Sequence, residues 1–241
     1  MSVFALENIS FGYSGAGAGS GQNLCGVFEN MNFALQPGEQ LGLYGHNGCG
    51  KTTFFRLIAG LEKPAAGRVL FHGRPLESDK DFRALRGKVG FVLQHADDQL
   101  FCPTVLEDVA FGPLNQGIGR EEAARLAEEA LENVGLGGFS NRLTHRLSGG
   151  EKKLVCLAGV LVMQPEALLL DEPTAELDCA ATSRLARILN GLDTARIVIS
   201  HDLAFLRQVS QRLLTVGGGK IVDLDLEREQ ACSPDCVINN L

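Results

Sequence analysis

The stretch Leu41-Gly-Leu-Tyr-Gly-His-Asn-Gly-Cys-Gly-Lys-Thr-Thr53 concentrates chemistry of one kind. Gly45, Gly50, Lys51 and Thr52 fill the fixed places of G-x-x-x-x-G-K-[ST], between an apolar strand-like run and the helix-like Phe54-Phe55-Arg56-Leu57-Ile58. Glycines let the backbone from Gly45 through His46, Asn47, Gly48, Cys49 and Gly50 curl until several amides point at one anion. The following helix adds the positive end of its dipole. A triphosphate is the natural guest. Lys51 would reach its β- and γ-phosphates as a point charge, the Thr52 hydroxyl would ligate Mg²⁺, and Thr53 would bond the α-phosphate. A chance glycine-rich turn is the competing reading, and the flanking strand and helix patterns argue against it.

Such a loop needs a rigid sheet edge to sit on, and the chain supplies one. Lys88-Val-Gly-Phe-Val-Leu93 is a compact apolar run ending in Gln94. Ala167-Leu-Leu-Leu170, fenced by Pro165 and Pro173, ends in Asp171-Glu172, and Arg196-Ile-Val-Ile-Ser200 ends in His201-Asp202. Continuous apolar runs of this length suit strands covered on both faces, hence a parallel sheet with helical crossovers. With the strand before Gly45, four strands release polar residues at their carboxyl ends, the edge where ligands bind in an open α/β sheet. Upstream, Val3 to Tyr13, Val27 to Leu35 and Arg68 to His72 read as strands bounded by Gly or Pro turns, suggesting an antiparallel β layer beside the loop. Tyr13 is either an exposed ring able to stack on adenine or an ordinary strand-end tyrosine. The low-complexity insert from Ser14 to Gly21 carries no chemistry.

Between Gln94 and the Asp171 strand the pattern turns helical. Arg120 to Val134 carries Glu in its first turn, an apolar stripe through Leu126, Ala130 and Val134, and Gly135 as a stop. Leu147-Ser-Gly-Gly-Glu-Lys-Lys153 opens the next helix, where Ser148 and Glu151 fit a capping box. Spacing alone would make these residues a helix start and nothing more. Gly149 and Gly150 change that, because two glycines in a first turn cost about 1 kcal/mol each relative to Ala. Bare amides that must approach a ligand closely would explain them.

Composition narrows the partners. The 241 residues are 45% hydrophobic, enough for a large core, and carry a net charge of −7 with no block of Lys or Arg. A general nucleic-acid binder needs a basic face, so none is expected. Seven cysteines with no signal peptide read as reduced thiols, and Cys232 and Cys236 lack the further ligands of a closed zinc site. No apolar run approaches about 20 residues, so any membrane role is expected to come through a partner.

With these residues placed, the chain resembles the ATP-binding cassette (ABC) ATPases over nearly its whole length. The resemblance rests on an order: Tyr13, the loop from Gly45 to Thr53, Gln94, the Leu147-Ser-Gly-Gly signature, the strand ending at Glu172, Ala175-Glu-Leu-Asp178, then His201. Gln94-His-Ala-Asp-Asp-Gln-Leu-Phe101, Thr104 to Leu114, and Gly150-Glu-Lys-Lys with Leu157-Ala-Gly-Val-Leu161 look like the ATPase subunits of energy-coupling-factor importers, particularly the nickel and cobalt branch. The implied fold class is α/β of the P-loop NTPase, RecA-like kind: a mostly parallel sheet core with an N-terminal antiparallel β layer and an inserted helical subdomain. The implied organisation is one domain over 1–241, with a core of about 1–94 and 160–225, a helical subdomain of about 95–159 and a short tail, 226–241.

The resemblance also implies roles. Asp171 would hold the Mg²⁺ shell, Glu172 would act as general base on the attacking water, and Gln94 would sense metal and γ-phosphate. His201 would contact the γ-phosphate, and Tyr13 would meet the adenine. Two such domains would pack head to tail around two ATP molecules, with Ser148, Gly149 and Gly150 completing the partner's site. The second ATPase subunit would be a copy or a paralogue, and the pair would dock on a transmembrane coupling subunit beside a substrate-binding membrane subunit, at the cytoplasmic face. Phe101 to Leu114 is the candidate docking segment. Three positions depart from the family pattern: Glu151 for Gln, Glu176 for Gly, and Leu154 where a basic residue is common. A cassette ATPase acting on ribosomes or DNA is disfavoured, since neither a charged linker between two cassettes nor a long coiled coil is present.

Overall fold

The computed structural model describes residues 1–14, 24–46 and 48–225. The glycine-rich insert, Asn47, Cys232 and Cys236 lie outside the described residues, Ser14 excepted.

Strand β1 (Phe4–Ser14) shows how the sequence sets the first layer. Phe4 and Leu6 face the core, the alternation slips at Asn8, and Ile9 and Phe11 face the core again. The slip is a bulge in which Asn8 takes φ +54°, a conformation Asn tolerates better than most side chains. β1 pairs antiparallel with β2 (Leu24–Leu35) on one side and β4 (Ala66–Phe71) on the other. The short β5 (Arg74–Pro75) follows β4 through a two-residue turn in which His72 and Gly73 both have positive φ, giving the order β2-β1-β4-β5. The expected three-strand layer is present; the fourth strand is too short to have shown a period in the sequence.

The second sheet holds β3 (Gln40–Tyr44), β6 (Val89–Val92), β7 (Ala167–Asp171), β8 (Ala195–Ser200), β9 (Arg212–Gly217) and β10 (Lys220–Asp223). Its order is β10-β9-β3-β8-β7-β6, parallel throughout except for the β10–β9 edge hairpin. The apolar runs do cover both faces. Leu41, Leu43, Leu169, Ile197 and Ile199 pack toward the antiparallel layer and α1 (Lys51–Ala59), while Leu168, Leu170 and Val198 pack toward the helical side. This is the expected α/β architecture. Helix α2 (Asp79–Arg86), capped by Ser78 and Asp81, lies between β5 and β6 and had no apolar stripe to announce it.

Helices α3 (Val105–Asn115), α4 (Arg120–Asn133) and α5 (Gly149–Leu161) occupy the stretch between β6 and β7, and α6 (Cys179–Asn190) and α7 (Leu203–Val209) close the helical face. Helix α4 differs from its expected stripe. Of that stripe Ala130 and Val134 are buried and Leu126 is only half-buried, while Ala123, Ala127 and Leu131 complete the buried side.

Arg196 on β8 is 0% exposed and meets no carboxylate. It donates instead to the carbonyls of Leu189 (2.7 Å) and Leu192 (3.2 Å) at the end of α6, to Val209 O (2.8 Å) at the end of α7, and to Gln40 Oε1 (2.7 Å) on β3. A cation at two helix carboxyl ends adds donors to their last carbonyls, of which that of Leu189 also takes the Leu192 amide, and complements the helix dipoles. Burial pulls its pKa down to about 10.

Candidate active site

The loop between β3 and α1 is held by its own residues. Lys51 is buried, and its ammonium donates to Gly45 O (2.6 Å) and His46 O (2.9 Å). Gly50 caps α1 at φ +110°, and a Cβ there would lie 2.8 Å from Val27 Cγ1. Only glycine fits that turn. Thr53, buried at the first turn of α1, shares a 3.1 Å hydrogen bond with the Tyr13 hydroxyl, and the Tyr13 ring stands edge-on to Phe11 at 5.0 Å while remaining 41% exposed. The strand end thus carries an open aromatic face fixed beside the loop. His46 is exposed, edge-on to Tyr44, and Cys49 is half-buried.

Across the loop, β7 ends in the two carboxylates. The Thr52 hydroxyl donates to Asp171 Oδ2 at 3.3 Å. Burial raises the Asp171 pKa, and the Thr52 hydrogen bond and the Lys51 charge offset part of that rise. Glu172 is also buried and takes φ +44°, a strained conformation for a non-glycine residue. Its Oε2 accepts from the Ser200 hydroxyl (3.3 Å) and the His201 amide (3.3 Å), and pairs with His201 Nδ1 (2.9 Å) at the end of β8. Its Oε1 is buried with no hydrogen-bond partner among the described residues. An orphaned buried carboxylate oxygen costs about 1–3 kcal/mol and is open to a further donor.

Lys51, Thr52, Gln94, Asp171 and Glu172 line one hollow of about 100 Å³. Hydroxyl and carboxylate oxygens 3.3 Å apart form a hard donor pair, and the exposed Gln94 adds a carbonyl oxygen or an amide beside them. These residues fit a Mg²⁺ ion. Ser148, Gly149 and Gly150 do not line that hollow.

At the start of α5 the capping box is complete. Ser148 Oγ accepts from the Glu151 amide (3.3 Å), while Glu151 Oε2 accepts from the Ser148 amide (2.8 Å) and hydroxyl (2.9 Å). The Ser148 backbone bond is the main cause of the lowered Glu151 pKa. Glu151 therefore faces back into its own helix start. The glycines are another matter: a Cβ on Gly149 would come no closer than 3.6 Å to Glu176, and one on Gly150 no closer than 3.5 Å to Ala181 and Leu177. The described neighbours would admit a Cβ at both, so packing against them does not by itself require glycine.

One buried residue in this region had escaped the sequence reading. Lys153 is 5% exposed, and its ammonium donates to Leu93 O (3.1 Å), Gln94 O and Glu172 O (3.5 Å). Adjacent Leu154 lies in the core, so the buried cation of this helix stands one residue earlier than the family pattern suggested. No local spacing announced it, because its acceptors lie at two strand ends far from it in the chain. Among the described residues there is no group of three or more His, Cys, Asp or Glu able to hold a metal by themselves.

The ABC transporter family profile matches residues 28–175. A putative ABC transporter ATP-binding protein from Nitratidesulfovibrio vulgaris is 48% identical over 217 residues, covering 90% of this chain and 77% of that protein. The energy-coupling factor transporter ATP-binding protein EcfA from Methanocaldococcus jannaschii is 43% identical over 200 residues, 81% of this chain and 72% of that one. The chain belongs to the ABC transporter family. It is an ATPase of the cassette type, and its homologues include energy-coupling-factor ATP-binding subunits.

Solved structures of ABC proteins agree in fold. The cbiO1 protein from Clostridium perfringens, described as part of the ABC transporter complex cbiONQ, superposes with a TM-score of 0.80 at 32% identity, covering 92% of this chain and 87% of that one. A dimeric ATP-binding cassette in a post-hydrolysis state bound to ADP and Pi superposes with a TM-score of 0.79 at 26% identity, covering 92% and 99%. Two departures from the ABC pattern find a place in the structure. Glu176, at φ +68° where glycine is usual, lies beside Gly149 and 3.9 Å from His95 Nδ1. Leu154, where a basic residue is common in ABC proteins, fills core volume.

Proposed function

We propose that the chain is the ATP-hydrolysing subunit of an energy-coupling-factor importer for nickel or cobalt, and that MgATP closes it against a second ATPase subunit. The likeness to EcfA and cbiO1 supports the importer class, and the segments Gln94 to Phe101 and Thr104 to Leu114 favour the nickel and cobalt branch. The metal cargo would meet the membrane subunits and not this chain. An energy-coupling-factor ATPase for a vitamin is the alternative within the same class.

The observation that carries the mechanism is the Glu172 carboxylate, with one oxygen held by Ser200 and His201 and the other buried without a partner among the described residues. That geometry suits a general base: the free oxygen would take a proton from a water while His201 and Ser200 keep the carboxylate aimed. Lys51 would exchange its two loop carbonyls for phosphate oxygens. Thr52, Asp171 and Gln94 would hold Mg²⁺, which supplies charge neutralisation on the phosphates when bound. Tyr13 would flank the adenine, and the backbone from Gly45 to Thr53 would bind the phosphates. Ser148, Gly149 and Gly150 would face the nucleotide of the partner subunit, which accounts for glycines that this chain's own packing does not require. Residues 95–159 would move as a subdomain. Phe101 and Phe111, 64% and 43% exposed and edge-to-face at 4.6 Å, would dock the transmembrane subunit at the cytoplasmic face. Among the described residues no helix is long and apolar enough to cross a membrane.

Glu172→Gln tests the base. It is expected to keep ATP affinity within about threefold while lowering kcat at least about 100-fold. Near-normal turnover would remove Glu172 from this role.

A further inference from the structure

We propose that Lys153 is a positioning residue for hydrolysis: one ammonium ties the Gln94 segment and the Glu172 segment to the helix that begins at the signature. This rests on the reading of Gln94 as metal and phosphate sensor and Glu172 as base. Four observations carry it.

The acceptors come first. Lys153 donates to the carbonyls of Leu93, Gln94 and Glu172 and to no carboxylate, so its three N–H donors are spent on backbone at two strand ends that both border the hollow. An apolar side chain would fill the same volume at lower desolvation cost, and the core around Leu154, Val155 and Leu157 is built that way. A retained buried cation therefore has work beyond packing.

Second, the rest of the Gln94 segment is fixed from the opposite side. Gln99 Oε1 accepts from the Leu93 amide (3.0 Å) and Gln99 Nε2 donates to Phe91 O (3.1 Å), extending the β6 ladder with a side chain. With the Leu93 amide and the Phe91 carbonyl held by Gln99 and the carbonyls of Leu93 and Gln94 by Lys153, the path of the segment is set by two side chains. Third, the same stretch of α5 grips the following residues. Lys152 Nζ bonds Asp97 Oδ1 at 2.6 Å, and Cys156 Sγ lies 3.8 Å from Ala96 O. A shift of α5 along its axis would therefore move Gln94. Fourth, Lys153 is the fifth residue after Ser148, so the helix start that would meet the partner's nucleotide and the ammonium are on one rigid element.

The test compares Lys153→Met, Lys153→Arg and Glu172→Gln with the unaltered chain, in steady-state MgATP hydrolysis and thermal unfolding. Misplacing a catalytic segment by about 1 Å costs up to about 100-fold in rate. Lys153→Met is expected to lower kcat about 10- to 100-fold with KM for ATP within about twofold, and Lys153→Arg to recover most of that loss. Should the Met variant not fold, Arg decides alone. It keeps the charge but cannot bring one nitrogen to three carbonyls, so kcat is expected to drop about threefold at unchanged KM. A Lys153→Met or Lys153→Arg protein turning over at the unaltered rate, while Glu172→Gln is silent, overturns this inference and leaves the assignment of Glu172 standing. An active Glu172→Gln overturns that assignment and this inference with it. Parallel loss of kcat, KM and melting temperature without rescue by Arg reduces Lys153 to a structural residue and also overturns the proposal.

Discussion

Asp171 is expensive where it stands. Burial raises its pKa, so the folded chain holds the Asp171 proton more tightly than the unfolded chain does. Where the native state binds more protons, stability falls as pH rises through the raised pKa. Ionised Asp171 therefore destabilises the fold at neutral pH, and acidification removes that cost. Asn keeps the shape and the Thr52 contact without the charge. Asp171→Asn is expected to melt at a higher temperature than the parent chain at pH 7 in metal-free buffer, with the difference shrinking as pH falls, and to lose MgATP hydrolysis. An equal or lower melting temperature at pH 7 would show that the Thr52 hydrogen bond and the Lys51 charge outweigh the desolvation of the carboxylate. The same trade of stability for chemistry is visible at Glu172, with its positive φ and its unpartnered oxygen.

At the scale of elements, the parallel sheet was legible because its strands are short, apolar and fenced. Ala167 to Leu170 and Arg196 to Ser200 could only be strands covered on both faces, and the polar residues released at their ends fell at one edge, as the topology of such sheets requires. What the sequence did not show lacks a local period. Strand β5 has two residues, α2 is polar on most of its surface, and the core-facing side of α4 is written in alanines, which a stripe-based reading discounts. Lys153 was missed for a related reason: its acceptors are carbonyls about 19 and 60 residues away in the chain, and no motif spacing encodes them. Arg196 looked like an ordinary strand residue and proves to join β8, β3 and the ends of α6 and α7. Arg196→Met would take away the donors that Arg196 gives to the carbonyls of Leu192 and Val209, while that of Leu189 keeps the Leu192 amide, and the loss outweighs any gain from removing a desolvated charge. It is expected to lower unfolding free energy by about 2–4 kcal/mol with an unchanged urea m value. A loss under about 0.5 kcal/mol would mean those carbonyls find other partners.

For the whole molecule, the proposed function assigns the chain two devices for one ligand, and they do not line the same hollow. The loop, Asp171 and Glu172 share a hollow, while Ser148, Gly149 and Gly150 do not line it, and a Cβ at either glycine would meet its neighbours at ordinary contact distance. A second ATPase subunit turned head to tail resolves both facts, and the dimeric cassette with a TM-score of 0.79 shows that the fold can pair. The exposed pair Phe101 and Phe111 is the surface proposed for docking. Changing both to Ser is expected to release the subunit from membranes carrying its partners while soluble ATP hydrolysis stays within about twofold, and undiminished membrane association would place docking elsewhere. The sandwich itself is tested most directly by size in solution. With MgATP, Glu172→Gln is expected to elute as a dimer, and adding Ser148→Arg, which pushes a long side chain into the shared interface, is expected to return it to monomer with ATP still bound. A double variant that dimerises as readily as the single one would contradict the account.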